Sequence, residues 1–235
     1  MNGTLYLVGV GPGDPELLTL KAARILGAVE VIAFPAPRED SALALEIASP
    51  HLNPDAARVP IPLPMSIDRA IGRTAYNEGA QAILLHLRAG RDVAYLCEGD
   101  PLFYGSAMYL IDRVGREAEI CIVPGVTSLT ASAAAIGRPL AARNEMLKVL
   151  PAPLPDAVLR SELLSTDAAA LIKIGRHFDR IRALLEETGH LGGAMIVEHA
   201  TTGKERITPL AAFAHTDRPY FSTILTYRGA EAWGR

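Results

Sequence analysis

The chain has 235 residues, enough for one large domain or two small ones. Apolar residues make up 49% and charged residues 21%, which excludes a disordered or fibrous protein, and no apolar run reaches the ~18 residues that a membrane-spanning helix needs. The net charge of −3 argues against nucleic acid as a partner. The first residues show no signal peptide, so we expect a cytoplasmic protein with no membrane partner.

The residues that commonly bind metals are few and scattered. Two cysteines, Cys97 and Cys121, are too few for a disulfide scaffold or a tetrahedral zinc site, and the six histidines form no metal-binding spacing. The sequence therefore predicts no metal. The basic residues are 19 Arg and 4 Lys. Coding bias explains this excess, and so does recognition of carboxylate or phosphate groups by guanidinium; both explanations stay open.

The first half alternates strands with helices. This alternation favours βαβ units and a parallel sheet. The predicted strands are 4–10, 29–34, 58–62, 92–97 and 119–123, and the predicted helices are 16–26, 41–49, 66–89 and 105–114.

The second half combines helices with strands that are joined by short loops. We therefore expect a second, mixed sheet and an α/β protein of two domains, residues 1–120 and 121–235, with the boundary near 117–124. The predicted helices are 128–136 and 176–187, and the predicted strands are 147–150, 168–174, 194–198, 205–208 and 220–227.

A glycine-rich loop, residues 9–14, follows the first predicted strand. It differs from the dinucleotide-binding fingerprint in two ways. Asp14 stands where the third glycine packs the helix, and Pro12 removes a backbone N–H that would face a pyrophosphate. A nicotinamide cofactor is therefore disfavoured, and a purely structural turn remains open.

Two further loops, residues 97–105 and 123–128, also follow predicted strands. Ligands of open α/β sheets bind at the carboxyl ends of strands. Asp100 is either a ligand-binding carboxylate or the cap of the next helix. Thr127 and Ser128 are either helix caps or hydroxyl donors to a ligand.

In this order, the three loops resemble the tetrapyrrole (class III) methyltransferases, and the resemblance covers essentially the whole chain. The matching segments are 9–15, 99–101 with Tyr104 and Gly105, and 124–128. Within this family, residues 97–106, Tyr109 and residues 148–152 are most similar to members that methylate C20 of precorrin-2.

The resemblance implies two α/β domains with S-adenosylmethionine in a cleft between them, and a homodimer. The N-terminal domain would provide the tetrapyrrole side of the cleft, and both domains would contact the cofactor. The implied cofactor contacts are Pro12, Glu98, Gly99, Asp100, Phe103, Thr127 and Ser128, and by position Ile174 and Ala200.

The implied chemistry is compatible with these residue types. S-adenosylmethionine carries no phosphate, so a loop interrupted by proline loses nothing essential. Methyl transfer to a ring carbon depends mainly on holding donor and acceptor in line. No metal is required, and the catalytic base stays unidentified. The substrate is a polycarboxylate, for which the candidate binding residues are Arg38, Arg138, Arg143 and Arg176.

The expected function is methylation of precorrin-2 at C20 on the route to cobalamin. Two alternatives within the family are the same reaction on the cobalt-containing substrate and methylation of uroporphyrinogen III. Two alternatives of other classes are a nicotinamide-dependent oxidoreductase and a non-catalytic nucleotide-binding module.

Overall fold

The computed structural model describes residues 2–36, 42–62, 69–214 and 221–229, and of 69–71 only the backbone. The chain divides into two compact units, Met1–Thr127 and Ser128–Arg235. Each unit contains a five-stranded sheet with helices packed on it. The prediction of two α/β units, the first with a parallel sheet and the second with a mixed sheet, is confirmed.

The sheet of the first unit has the strand order β3-β2-β4-β1-β5, with every pair parallel. Its strands are β1 Leu5–Gly9, β2 Val31–Pro35, β3 Ala57–Ile61, β4 Val93–Cys97 and β5 Ile120–Val123; its helices are α1 Leu20–Leu26, α2 Leu43–Ala48, α3 Arg69–Arg88 and α4 Met108–Val114. Strand β5 pairs with β1 and belongs to the first unit, so the division between the units falls after β5.

The helix expected at 16–26 is split into two pieces. A 3-10 turn covers Pro15–Leu17, and α1 begins only at Leu20. The Asp14 carboxylate accepts a hydrogen bond from the Glu16 N–H (2.8 Å), and the Thr19 hydroxyl accepts one from the Ala22 N–H (3.1 Å). Two capping side chains in one apolar pattern therefore start two elements.

The central strand β4 is buried along its whole length, because helices cover both faces of the sheet. On one face α3 and α4 contribute Ile83 and Leu110 to the core, and on the other α1 and α2 contribute Leu26 and Ile47. Burial on both faces is why β4 is a continuous apolar run without alternation.

The sheet of the second unit has the order β6-β7-β10-β8-β9, in which only β6 and β7 are parallel neighbours. The strands are β6 Leu147–Pro151, β7 Ala168–Ile172, β8 Met195–Glu198, β9 Arg206–Pro209 and β10 Ser222–Tyr227; the helices are α5 Ser128–Ile136, α6 Asp156–Leu164 and α7 Phe178–Glu187. The start expected for β10, residue 220, lies outside the described residues.

Helix α6 was not expected from the sequence. It lies in the crossover connection that the parallel pair β6 and β7 requires. It buries Leu159 and Leu163 in the core that also contains Ile181 and Leu185 of α7. The four-residue spacing of its two leucines was the available signal. Within the described ranges, no helix has both the length and the apolar character to cross a membrane.

A histidine lies in the interior of the second unit. The side chain of His190 is fully buried, with Nε2 2.8 Å from the Leu163 carbonyl oxygen and Nδ1 3.2 Å from the Thr226 hydroxyl. Burial lowers the pKa of His190, and the nearby Arg228 cation lowers it further, against the effect of the Leu163 carbonyl. The folded state therefore binds a proton less readily than the unfolded chain does.

This difference predicts acid sensitivity. As the pH falls below about 6.5, the ordinary histidine pKa, the unfolded chain gains protons that folded His190 does not, so the free energy of unfolding should decrease. We expect His190→Gln to reduce the loss of stability between pH 7.5 and 5.5, measured by urea unfolding. Burial also lowers the pKa of His86 and His177, so part of the pH dependence should remain.

The matched control is Leu184→Ala, which removes a buried core side chain and leaves every histidine in place. It should lower stability by a similar amount at both pH values. An unchanged pH dependence in His190→Gln would contradict the assignment.

Candidate functional site

The topology brings the three predicted loops to one edge of the first sheet. They leave the carboxyl ends of β1, β4 and β5, which are neighbours in the order β4-β1-β5 and run in one direction. Strand ends of this kind are where open α/β sheets bind ligands. The predicted site residues that follow these three strands are Pro12, Glu98, Gly99, Asp100, Phe103 and Thr127.

The first two loops are joined through their backbones. The N–H of Gly99 donates to the carbonyl oxygen of Gly11 at 2.8 Å, and the N–H of Gly11 donates to that of Gly99 at 3.3 Å. Both glycines have positive φ, +78° and +68° respectively. Other residue types rarely adopt this conformation, so the reciprocal bridge depends on glycine at both positions.

The third loop packs against the same place. A Cβ added to Gly125 would lie 2.1 Å from the Gly99 carbonyl oxygen and 2.9 Å from the Gly9 Cα. A Cβ on Gly9 would in turn lie 2.7 Å from the Gly125 Cα. Three backbones therefore meet at a distance that admits no side chain on Gly9 or Gly125.

The Asp100 carboxylate connects two of the loops. Its Oδ1 accepts a hydrogen bond from the Leu102 N–H at 2.9 Å, and its Oδ2 accepts one from the Gly125 N–H at 3.0 Å. Helix α4 begins at Met108, with Ala107 as its N-cap. The idea that Asp100 caps the next helix is therefore wrong, because it caps a turn within its own loop.

The Glu98 carboxyl faces protein groups. Its burial among them raises its pKa, and backbone N–H groups of Glu98 itself and of Ala44 oppose this shift. Ala44 lies in the first turn of α2, whose N-cap residue Ala42 provides no side-chain hydrogen bond. Glu98 as a whole residue is nevertheless exposed.

The remaining predicted residues of this edge are partly exposed. The ring of Phe103 lies edge-on against Tyr104, with centroids 5.1 Å apart, and Tyr104 has a positive φ of 54°. Pro12 and Thr127 are half-buried. Thr127 directly precedes α5, and Ser128 is the first residue of that helix.

In the second unit, the residues predicted from position also follow strands that share an edge. Strands β7 and β8 each pair antiparallel with β10, so they run in the same direction, and Ile174 and Ala200 follow their carboxyl ends. The Ile174 side chain belongs to the hydrophobic core and is 1% exposed; Ala200 is 8% exposed. What either residue can offer a ligand is therefore mainly backbone.

The loops around these two residues are strained. Lys173, His199 and Thr201 have φ values of 57°, 50° and 65°. A β-branched residue such as Thr201 rarely adopts this conformation, which costs roughly 1–3 kcal/mol. The Thr201 N–H donates to the Glu205 carboxylate at 2.6 Å, which stabilises the turn. The sequence contained no signal for this strain, since none of the three residues is glycine.

Sequence reasoning also missed a buried carboxylate. Glu198, at the end of β8, is fully buried, and its Oε1 accepts a hydrogen bond from Arg206 at 3.0 Å. Its Oε2 has no hydrogen-bond partner among the described residues. A glutamate at the end of an otherwise buried strand was the available signal.

The four arginines predicted for substrate binding differ in their surroundings. Half-buried Arg138 donates to the carbonyl oxygens of Gly193 (2.7 Å) and Leu225 (3.1 Å), and burial lowers its pKa. It therefore supports the fold of the second unit. Arg143 and Arg176 are exposed, and the Arg176 Nε lies 3.4 Å from His177 Nε2. Arg38 lies outside the described residues.

The close contact of the three loops predicts that Gly125→Ala is strongly destabilising. The new methyl group meets the backbone carbonyl of Gly99, which cannot rotate away as a side chain does. We expect a loss of about 3 kcal/mol or more in the free energy of unfolding, measured by denaturant titration.

The control is Gly192→Ala, because nothing lies within 4 Å of a Cβ at that position. Its effect should stay below about 1 kcal/mol. Equal stability of Gly125→Ala and the wild type would show that the loops are not in contact.

Residues 4–213 match the family model for tetrapyrrole (corrin/porphyrin) methylases. The chain is 42% identical over 95% of its length to the cobalamin biosynthesis protein CobIJ of Mycobacterium bovis, of which it spans only 46%. It is 39% identical to the precorrin-2 C(20)-methyltransferase of a Sinorhizobium species, covering 95% of this chain and 94% of that one. It is 37% identical to the cobalt-precorrin-2 C(20)-methyltransferase of Salmonella typhimurium, covering 96% of both chains.

A solved structure supports the same relationship. Uroporphyrin-III C-methyltransferase from Thermus thermophilus, in complex with S-adenosyl homocysteine, superimposes with a TM-score of 0.70. The identity is 27%, and the match covers 96% of this chain and 92% of that chain. With the family match extending over most of the sequence, the chain belongs to the tetrapyrrole methylase family.

Proposed function

We propose that this chain transfers a methyl group from S-adenosylmethionine to C20 of precorrin-2, giving precorrin-3A in cobalamin biosynthesis. The observation that carries the proposal is the 39% identity to a precorrin-2 C(20)-methyltransferase over almost the full length of both chains. The proposal includes a cytoplasmic homodimer that uses no metal.

The loop edge of the first unit fits S-adenosylmethionine better than a dinucleotide. It carries two carboxyl groups, on Glu98 and Asp100, and Pro12 lacks an N–H. Carboxylates repel a pyrophosphate and attract the sulfonium and amino groups of S-adenosylmethionine. The partly exposed Phe103 ring and Thr127 hydroxyl offer an apolar surface and a hydrogen-bonding group.

S-adenosylmethionine supplies an electrophilic methyl group when it is bound. The task of the protein is then to hold the methyl group and the acceptor carbon in line and to exclude water. In this proposal the backbones at Gly99 and Thr127 are the cofactor contacts of the first unit, and Ile174 and Ala200 stay candidate contacts in the second unit, taken by itself. Their packing in short, closely bonded loops supports such a role.

The cobalt-containing substrate is the second candidate, favoured by the 37% identity to the Salmonella enzyme. Uroporphyrinogen III is a weaker candidate, since the solved uroporphyrin-III C-methyltransferase is 27% identical. A nicotinamide oxidoreductase is disfavoured by Pro12 and by the two carboxyl groups.

Cofactor binding separates these classes of function. S-adenosylhomocysteine at 100 times its dissociation constant should raise the free energy of unfolding by about 2.7 kcal/mol, measured as a thermal shift. NAD at the same concentration should cause no shift. A thermal shift with NAD and none with S-adenosylhomocysteine would contradict the proposed methyltransferase and favour an oxidoreductase.

The acceptor is identified with a 13C-methyl donor. Precorrin-2, its cobalt complex and uroporphyrinogen III are incubated in separate reactions, and the label should appear at C20 of precorrin-2, located by NMR. Labelling only of uroporphyrinogen III would overturn the proposed substrate.

Exposed arginines are expected to bind the carboxylates of the tetrapyrrole. Replacing Arg143 and Arg176 together by Gln should raise the KM for tetrapyrrole about tenfold or more and leave the affinity for S-adenosylhomocysteine unchanged. The reason is that a charge-assisted hydrogen bond contributes about 1.5–3 kcal/mol.

Two variants serve as controls for this pair. Arg160→Gln removes an equally cationic side chain that pairs with Glu187, and it should leave KM unchanged. Arg138→Gln should lower the melting temperature, because it removes the donor to the Gly193 and Leu225 carbonyls. An unchanged KM in the double variant would attribute the arginine excess to coding bias.

A further inference from the structure

We propose that Asp100 is a positioning residue, which acts on cofactor binding by tying the loop 124–127 to the loop 98–105. This inference rests on the proposed function for the cofactor. A positioning role requires the hydrogen bond from the Gly125 N–H of the third loop to Asp100, whereas direct contact between the carboxylate and the cofactor does not.

The third loop has less backbone support than the other two. Strand β1 is paired with β4 as far as Gly9 and Cys97, and reciprocal bonds between Gly11 and Gly99 continue this connection. On the other side, the pairing of β1 with β5 stops at Val8 and Val123. Beyond Val123 the chain has left the ladder, at the outer edge of the sheet.

The hydrogen bond that Asp100 accepts comes from a glycine that has left the sheet. Gly125 contacts Gly9 and Gly99 through backbone atoms alone, and such contact restricts approach without selecting one conformation. Glycine also has more accessible backbone conformations than any other residue. The bond from the Gly125 N–H to Asp100 Oδ2 adds direction, and a carboxylate is a stronger acceptor than a neutral oxygen.

The tie has a consequence for the predicted cofactor residues. Thr127 and Ser128 follow Gly125 closely, and Ser128 opens α5. The position of Gly125 therefore affects the positions of the Thr127 and Ser128 hydroxyl groups. The same carboxylate holds the turn at Leu102, next to Phe103, so one side chain orders both loops.

Two substitutions separate the tie from the local turn. In Asp100→Asn, one oxygen can still accept from the Leu102 N–H, but the amide group then presents a donor to the Gly125 N–H. In Asp100→Ser, the hydroxyl can accept from Leu102 but is too short to reach Gly125. Both variants keep the turn and remove the bond between the loops.

The matched control is Asp14→Asn. Asp14 forms the same kind of turn, with its Oδ1 accepting from the Glu16 N–H at 2.8 Å. This substitution keeps the turn acceptor and removes a charge from a neighbouring loop. It should leave both measurements below unchanged.

The experiment combines calorimetric titration of S-adenosylhomocysteine with hydrogen exchange of the Gly125 amide in the ligand-free protein. We expect Asp100→Asn and Asp100→Ser to raise the Kd about tenfold or more and to accelerate exchange at Gly125. In the wild type, the Gly125 amide should exchange more slowly than the amide of the exposed Gly203. This comparison is made within the wild-type protein and does not depend on whether the variants fold.

Different failures have different meanings. A raised Kd with unchanged Gly125 exchange would show that Asp100 contacts the cofactor directly, and faster exchange with an unchanged Kd would show that the tie does not serve the cofactor. Either result overturns this inference and leaves the proposed function standing, as does a wild-type Gly125 amide that is as exposed as Gly203. If the wild type does not bind S-adenosylhomocysteine, the proposed function fails and the inference fails with it.

Discussion

The predicted ligand-binding edge of the first unit depends on the contact between three backbones at Gly9, Gly99 and Gly125. No side chain fits at Gly9 or Gly125, and the carbonyl of Gly99 is enclosed by both neighbours. Loops after parallel strands usually vary independently, because each is anchored only at its ends. Here the three loops are in contact with one another at these glycines, and hydrogen bonds join Gly11 to Gly99.

Most strands were predictable, because in both units they are short apolar runs bounded by glycine, proline or polar residues. The errors have local physical causes. Thr19 caps a second helix within one apolar pattern, and α6 was missed although the four-residue spacing of Leu159 and Leu163 is typical of a helix. The division into units at Thr127/Ser128 follows the pairing of β5 with β1, which is long-range and which no local pattern encodes.

The sequence identified the loops of the candidate site but not how their side chains are used. It could not show that Asp100 faces Gly125, since this follows from β1 lying between β4 and β5. It could not distinguish Arg138, whose guanidinium donates to backbone carbonyls, from exposed Arg143. Residue type indicates which interactions are possible, and only the fold selects among them.

The left-handed conformation of Thr201 has a consequence for the way this sequence can evolve. Glycine or asparagine would adopt the same φ with less strain, so the present residue does not maximise the stability of the turn. The hydrogen bond to Glu205 uses the backbone N–H at position 201, which every residue except proline provides. The turn after β8 can therefore gain stability by substitution at this position while it keeps the hydrogen bond that holds it.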